Sequence, residues 1–329
     1  AFMQQEQIQW EANVWYLERL HLGKHRIDES KSLISISFME VKEIQNREIL
    51  QAYMKYELGI TGQAVSTIVR RFVCIRNFIE LLEQEKILAI HATVAEVKKY
   101  ADGLRERGIQ AKGFNERIFG IGHFYKFMEV KQYITRMPFR IEYFQQKEVV
   151  VHHDRSVEET VYMEILKKLY LFPERLRCMF LHLWCLGLRA SEVCTLKGNA
   201  YYQQGEDYWI QVYQVKMKNY KRIPIPQALY QIMKVYLKKH EIQPEEFIFK
   251  NSRGGACLYG TFRTQMIEAC RENKIANGEY LFQSHDYRHT VATMFYDSHV
   301  SLQSIRDYLG HTYEEMTRQY IDYMPQRIA

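Results

Sequence analysis

The chain is expected to fold mainly as α-helix with one small antiparallel sheet, as a helical domain followed by an α+β domain. Three observations predict this class. Apolar residues recur at helical spacing through most of residues 46–130, as in Val65, Ile68, Phe72, Ile75, Ile79 and Leu82. Runs rich in β-formers and broken by turn residues are concentrated in residues 200–226. A length of 329 residues, at roughly 150 per domain, leaves room for two separate cores.

Along the chain, "IQWEANVWYLERLHLG" reads as an amphipathic helix closed by Gly23, and "SLISISF" as a short strand, which makes residues 1–45 an N-terminal extension. Four helical segments then fill 46–137. At "TRMPFRIEYFQQKEVVVHHDR" the period is lost around Pro138, so residues 138–155 are expected to link the domains, with His152 and His153 as solvated linker residues. Ser156 and Glu159 have capping-box spacing before "ETVYMEILKKLYL", and residues 156–329 form the second domain. Within it, "AYYQQGEDYWIQVYQVKMKNYKRIPIP" predicts three antiparallel strands with turns at "QQGED" and "KNYK".

A net charge of +6 suits a polyanionic partner without establishing one. Six cysteines are scattered without close pairing, the pattern of reduced intracellular thiols used for packing. No run approaches the ~20 apolar residues of a membrane span, so no membrane partner is expected.

The stretch "SHDYRHT" admits two readings. His285 and His289, four apart, mimic the spacing of two zinc ligands, whereas His285 and Arg288, three apart, share a helical face that could grip an anion. Other segments decide between them. Arg189 follows Gly187 at a helix break, with Glu192 placed to hold its fork. Lys218 sits at a hairpin tip. His311 follows Gly310, which would terminate a helix marked by Leu302, Ile305 and Leu309. Tyr320 comes nine residues later, on a short helix signalled by Thr312 and Glu315. Each has a plain alternative: Arg189 as a helix cap, His311 as a turn residue, Tyr320 as one more of 24 tyrosines.

Taken in order, "GLRASEV", "MKNYKRIPIP", "HDYRHTVAT", "LGH" and Tyr320 resemble the motifs of the tyrosine recombinases, the phage-integrase class of site-specific DNA recombinases, over residues 157–323. "YMKYELGITGQAVSTIVRRFVCIRNFIELL" is similar to that family's helical core-binding domain. The resemblance implies a two-domain clamp on duplex DNA. Arg189, Arg288, His285 and His311 would hold the scissile phosphate, Lys218 would protonate the leaving 5′-oxygen, and Tyr320 would be the nucleophile. Glu192 would support Arg189.

It further implies no cofactor, double-stranded recombination sites as substrate, a homotetramer at synapsis, room for accessory DNA-bending proteins, and a bacterial cytoplasmic setting. Arg70, Arg71, Arg76, Lys112, Arg117 and Lys126 become the expected DNA contacts of the helical domain. Two departures stand out: Tyr287 occupies a position where the family usually has leucine, and the hairpin offers Lys216 and Lys221 besides Lys218. Counting back from "IPIP" favours Lys218, with Lys216 as its main rival. In this reading His289 is a buried structural residue, Asp286 a first-turn acid, and a chelator leaves cleavage unchanged.

Overall fold

A computed structural model describes residues 8–32, 35–149, 155–311 and 317. The chain divides into two compact units, one formed by Ala1–Ile27 and Leu33–Val150, the other by Asp28–Ser32 and Val151–Ala329.

In the first unit four helices carry the core: α1 (Ile44–Gly59), α2 (Val65–Gln84), α3 (Val94–Glu106) and α4 (Ala111–Val130). Val65, Ile68, Phe72, Ile75, Ile79 and Leu82 of α2 are all buried, as their spacing requires. A complete capping box starts α3, where Thr93 Oγ1 accepts the Ala95 N–H and Glu96 accepts the Thr93 N–H.

The expected N-terminal helix is not formed. Val14–Tyr16 is a strand, β1, followed by a 3₁₀ turn at Leu17–Leu20. It pairs antiparallel with β2 (Ser35–Ser37), which lies inside the predicted strand. The ladder sends Trp15 and Ile36, directly opposite each other, into the core. Trp15 meets Phe38 edge-on at 4.6 Å, and Phe38 meets Phe72 of α2 at 5.2 Å. Aromatic packing at alternate positions has overridden the helical pattern. The segment expected as a linker also packs on this unit through Phe139 and Phe144, both buried.

The second unit contains α5 (Glu159–Lys168), α6 (Glu174–Leu186), α7 (Ala190–Cys194), a sheet of β3 (Tyr201–Gln204), β4 (Asp207–Gln214) and β5 (Asn219–Pro224), then α8 (Gln227–Lys239), α9 (Tyr259–Glu272), α10 (Ser284–Asp297) and α11 (Leu302–Leu309). The sheet is antiparallel in the order β3-β4-β5, as predicted. Its second turn falls earlier than expected: residues 215–218 make it, while Asn219 and Tyr220 already pair with Gln214 and Tyr213. Gln214 O accepts both the Met217 and Lys218 N–H groups, and Lys218 takes the left-handed φ of 55° that closes the turn.

The predicted capping box at Ser156 does not form. Glu158 is the N-cap of α5, and Ser156 instead lies against Thr293 (3.4 Å between the hydroxyl oxygens), while the Val157 N–H donates to Thr290 Oγ1. All six cysteines are free thiols, five of them buried. Among the described residues no helix is long and apolar enough to cross a membrane.

Tyr287 is wholly buried between Phe180 and Phe282, and its hydroxyl meets that of Tyr280 at 3.1 Å. The larger side chain is thus accommodated by a polar partner on the preceding loop. Tyr287→Phe is expected to lower unfolding stability by about 1 kcal/mol, the usual worth of one such hydrogen bond. Urea denaturation checks this, and an unchanged midpoint would show that the hydroxyl pair contributes nothing.

Candidate active site

Three chain breaks bring the cationic residues together. Helix α6 ends at Gly187, left-handed at φ 58°, and the chain re-enters α7 two residues later with Arg189 as its N-cap. Helix α11 ends at Gly310 (φ 69°), with His311 next. Helix α10 begins at Ser284 and carries His285 and Arg288 on its first turns.

Arg288 joins these breaks. Its Nη1 donates to Gly187 O (2.8 Å), and its Nη2 donates to Leu309 O (2.5 Å) and to His311 Nε2 (3.0 Å). A buried guanidinium thereby satisfies the carbonyl ends of two helices, where a positive charge is also favoured by the helix dipoles. Because the guanidinium can only donate, His311 Nε2 must accept, so the ring proton sits on Nδ1 and is donated to Thr317 Oγ1 (3.0 Å).

Glu192 organises the other half. One carboxylate oxygen accepts from Arg189 Nη1 (2.8 Å) and from Gln214 Nε2 (3.1 Å); the other accepts the Arg189 backbone N–H (2.9 Å) and lies 3.5 Å from Lys221 Nζ. Burial would raise the Glu192 carboxyl, but Lys221, Arg288, Arg189 and the backbone donor outweigh it and hold it down to about 2. Lys221 is lowered to about 8, first by burial and then by Arg288 and Arg189, against the opposing pull of Glu192. Three cations face one carboxylate, so the cluster carries an excess positive charge suited to an anion.

His311 is lowered to about 3 by burial, then by Arg288, Arg189, Lys221 and His285. His289 is buried, lies edge-to-face with His285 at 5.0 Å between centroids, and is lowered to about 3 by burial and then by His285, Arg155 and Arg288. His285 is pushed below its ordinary value by desolvation, then by Arg288, Arg155, Arg189 and Lys216. The residue is exposed, so desolvation is incomplete and the four neighbouring positive charges act with it. All three rings are therefore neutral at pH 7. Among the described residues no group of three His, Cys, Asp or Glu side chains could hold a metal ion.

A pH dependence follows. His289 and His311 bind protons in the unfolded chain near pH 6.5 but not in the native state until about pH 3. Their contribution is present above pH 6.5 and lost as pH falls, at about 1.4 kcal/mol per pH unit for each ring that stays neutral. The thermal midpoint is expected to drop between pH 7 and pH 5; a midpoint flat across that interval would contradict the burial of both rings as neutral groups.

The structure thus gathers Arg189, Glu192, Arg288 and His311, with His285 near their charges. Lys218, favoured by sequence, lies exposed in the 215–218 turn with Lys216, whereas Lys221 is the hairpin lysine drawn into the cluster. The signal was available: Lys221, Ile223 and Ile225 alternate along β5 and its extension, and all three are buried. Gln214 and Thr317 escaped the sequence reading altogether, having no charge to draw notice. Tyr320, with Thr312 and Glu315, lies outside the described residues, as do His152 and His153.

Of the expected DNA contacts, Arg71 is a correction. Its guanidinium is 14% exposed and is committed internally, 2.8 Å from Glu57 and hydrogen-bonded to Gln63. Arg76 lies between Glu40 (3.6 Å) and Glu80 (3.3 Å), and Arg117 donates to Gly113 O. Arg70, Lys112 and Lys126 remain on the surface, Arg70 with Glu116 at 3.4 Å and Lys126 with Glu129 at 2.6 Å.

Fold and cluster together match the class of protein that the motifs resemble. The chain belongs to the phage integrase family, which residues 155–327 match. Transposase B from transposon Tn554 of Staphylococcus aureus is 25% identical over 322 residues, covering 95% of this chain and 51% of that protein. The chain therefore spans about half the length of that relative. Tyrosine recombinase XerC of Bacillus licheniformis is 23% identical over 294 residues, 84% of this chain and 89% of its own. A lambda integrase tetramer solved on a Holliday junction shares the fold with a TM-score of 0.63 at 17% identity, over 88% of this chain and 80% of that one.

Proposed function

We propose that this chain cleaves and rejoins DNA strands at specific sites through a covalent 3′-phosphotyrosyl intermediate, acting as a recombinase or transposase of a mobile element. The observation that carries the reading is the Arg189–Glu192–Lys221 cluster beside Arg288 and His311, a preorganised positive site in a largely buried setting. A phosphodiester repels nucleophiles by its charge and has a poor leaving group, so such a site must bind charge and deliver a proton.

Arg189, partly open to solvent and fixed by Glu192, presents a forked donor to a non-bridging oxygen. Arg288 contributes its field and fixes His311. His285, neutral at pH 7, accepts the Tyr320 proton as the phenol oxygen attacks phosphorus. The P–O5′ bond breaks, and a lysine of the hairpin turn, Lys218 or Lys216, supplies the proton to the departing oxygen. The phosphotyrosyl ester conserves the energy of the broken bond, so attack by a 5′-hydroxyl from another strand reverses the step without ATP. Domain assignments follow the same reading: residues 46–137 as the core-binding domain with residues 1–45 as its extension, residues 156–329 as the catalytic domain, and residues 138–155 joining them, the first part packed on the core-binding domain through Phe139 and Phe144. Arg70, Lys112 and Lys126 are the surface cations proposed to meet DNA phosphates, an interaction that weakens steeply with salt. A homotetramer on two duplex sites is the proposed working assembly.

The test is covalent trapping on a pool of nicked duplexes of randomised sequence, followed by sequencing of the captured DNA. Two differently marked duplexes bearing the recovered sequence are then expected to exchange ends. Relaxation of supercoiled plasmid without exchange would point to a topoisomerase, and binding with no covalent product to a non-cleaving regulator.

A further inference from the structure

We infer that Gln214 and Lys221 form a positioning clamp that fixes the lysine-bearing turn 215–218 against Glu192, and that proton delivery to the leaving oxygen depends on it. The inference rests on the proposed strand-cleavage function.

The strand faces reveal the clamp. On β4 the buried positions are Ile210, Val212 and Gln214; on β5 they are Lys221 and Ile223. Both strands thus present an apolar face that turns polar only at the end nearest the turn. An amide and an ammonium placed on a buried face cost stability unless a partner meets them there. The partner is one carboxylate: Gln214 Nε2 donates to one oxygen of Glu192 at 3.1 Å, and Lys221 Nζ lies 3.5 Å from the other. Two strands holding the two oxygens of a single group fix the hairpin's orientation as well as its distance.

Gln214 does more. Its backbone carbonyl accepts the Met217 and Lys218 N–H groups, so the residue that grips Glu192 also closes the turn. Its side-chain amide fills the space that a Cβ on Gly310 would need, only 2.5–2.6 Å away, one residue before His311. A single residue therefore closes the turn through its carbonyl and, through its side chain, touches the Arg189 partner and the end of α11. Lys216 and Lys218 both lie exposed on this four-residue turn, whose closure Gln214 controls. The depressed but still cationic state of Lys221 at neutral pH fits a buried strut held by an anion.

The experiment uses the full chain, the duplex on which wild-type protein is trapped, and the same duplex with sulfur replacing the bridging 5′-oxygen at the scissile phosphate. A thiol leaves with a pKa of about 8.5 and needs no general acid, so a defect confined to proton delivery disappears on the sulfur substrate. Lys221→Met and Gln214→Leu are expected to slow adduct formation on the oxygen substrate by roughly 10-fold or more, a fraction of the ~10²–10⁴ carried by a general acid. On the sulfur substrate the slowing should shrink to less than about threefold, and Lys221→Arg should recover most of the lost rate on oxygen. Equal slowing on both substrates would overturn the inference, placing the effect in Arg189 or in folding instead.

Hydrogen exchange tests the clamp without DNA. In Gln214→Leu the Met217 and Lys218 amides should exchange at least about tenfold faster while the α10 amides keep their protection. Unchanged exchange in the turn would defeat the clamp even with cleavage intact. Absence of any wild-type adduct on either substrate would instead defeat the proposed function, and the exchange result would still decide the clamp.

Discussion

Arg288→Ala is expected to lower strand cleavage by about 10²-fold or more, because the site loses a buried positive charge and the contact that fixes His311. It is also expected to lower stability by about 3–5 kcal/mol, because charge-assisted hydrogen bonds to Gly187 O and Leu309 O vanish and a cavity replaces a wholly buried side chain. The two effects separate by measuring cleavage well below the variant's melting temperature and stability by urea denaturation without DNA. Arg288→Lys should rescue little of either, since one ammonium cannot span two helix ends and His311 at once. Cleavage within a fewfold of wild type would remove Arg288 from the site, and an unchanged urea midpoint would remove it as a strut.

Glu192→Ala should be nearly as damaging to the fold. It leaves Lys221, an almost fully buried ammonium, without the carboxylate that it faces among the described residues, and frees the Arg189 fork. Breaking a buried pair from one side costs about 3–5 kcal/mol, a range that deprotonation of the stranded lysine holds down. The pH dependence carries a distinct signature. The Glu192 contribution is full above the ordinary carboxylate pKa and disappears as pH falls toward about 2, so the variant should resemble wild type most closely in acid. Glu192→Gln, which keeps shape and one acceptor, should cost less than the alanine change. A loss under about 1 kcal/mol for Glu192→Ala would show that the carboxylate is not the hub described.

The helices were legible because their apolar spacing survives burial: α2 and α4 bury apolar residues that the sequence displays at helical spacing. The site's residue types were legible for another reason, since Arg189 with Glu192, His285 with Arg288, and His311 after a helix-ending glycine are local patterns. Long-range choices were not. Trp15 joins a strand because Ile36 lies opposite it and Phe38 packs edge-on against its ring, partners that no local window contains. Arg71 looked like an exposed cation until Glu57, on another helix, claimed it. Lys221 was passed over because counting along the chain ranks the hairpin lysines by motif, whereas burial ranks them by which face of β5 they occupy.

The same distinction marks where each kind of reading is strong. Chemistry that depends on residue type and spacing, such as a guanidinium fork three residues from a carboxylate, is written locally. Chemistry that depends on which of several equal side chains faces inward is decided by packing.

The central claim is that Tyr320 becomes covalently joined to DNA. The most direct measurement is proteolysis of the adduct trapped on a nicked duplex, with mass analysis of the nucleotide-bearing peptide. The account predicts a single modified peptide containing Tyr320, linked to a 3′-phosphate, and no adduct with Tyr320→Phe. An adduct that persists in Tyr320→Phe, or a linkage to a 5′-phosphate, would contradict it.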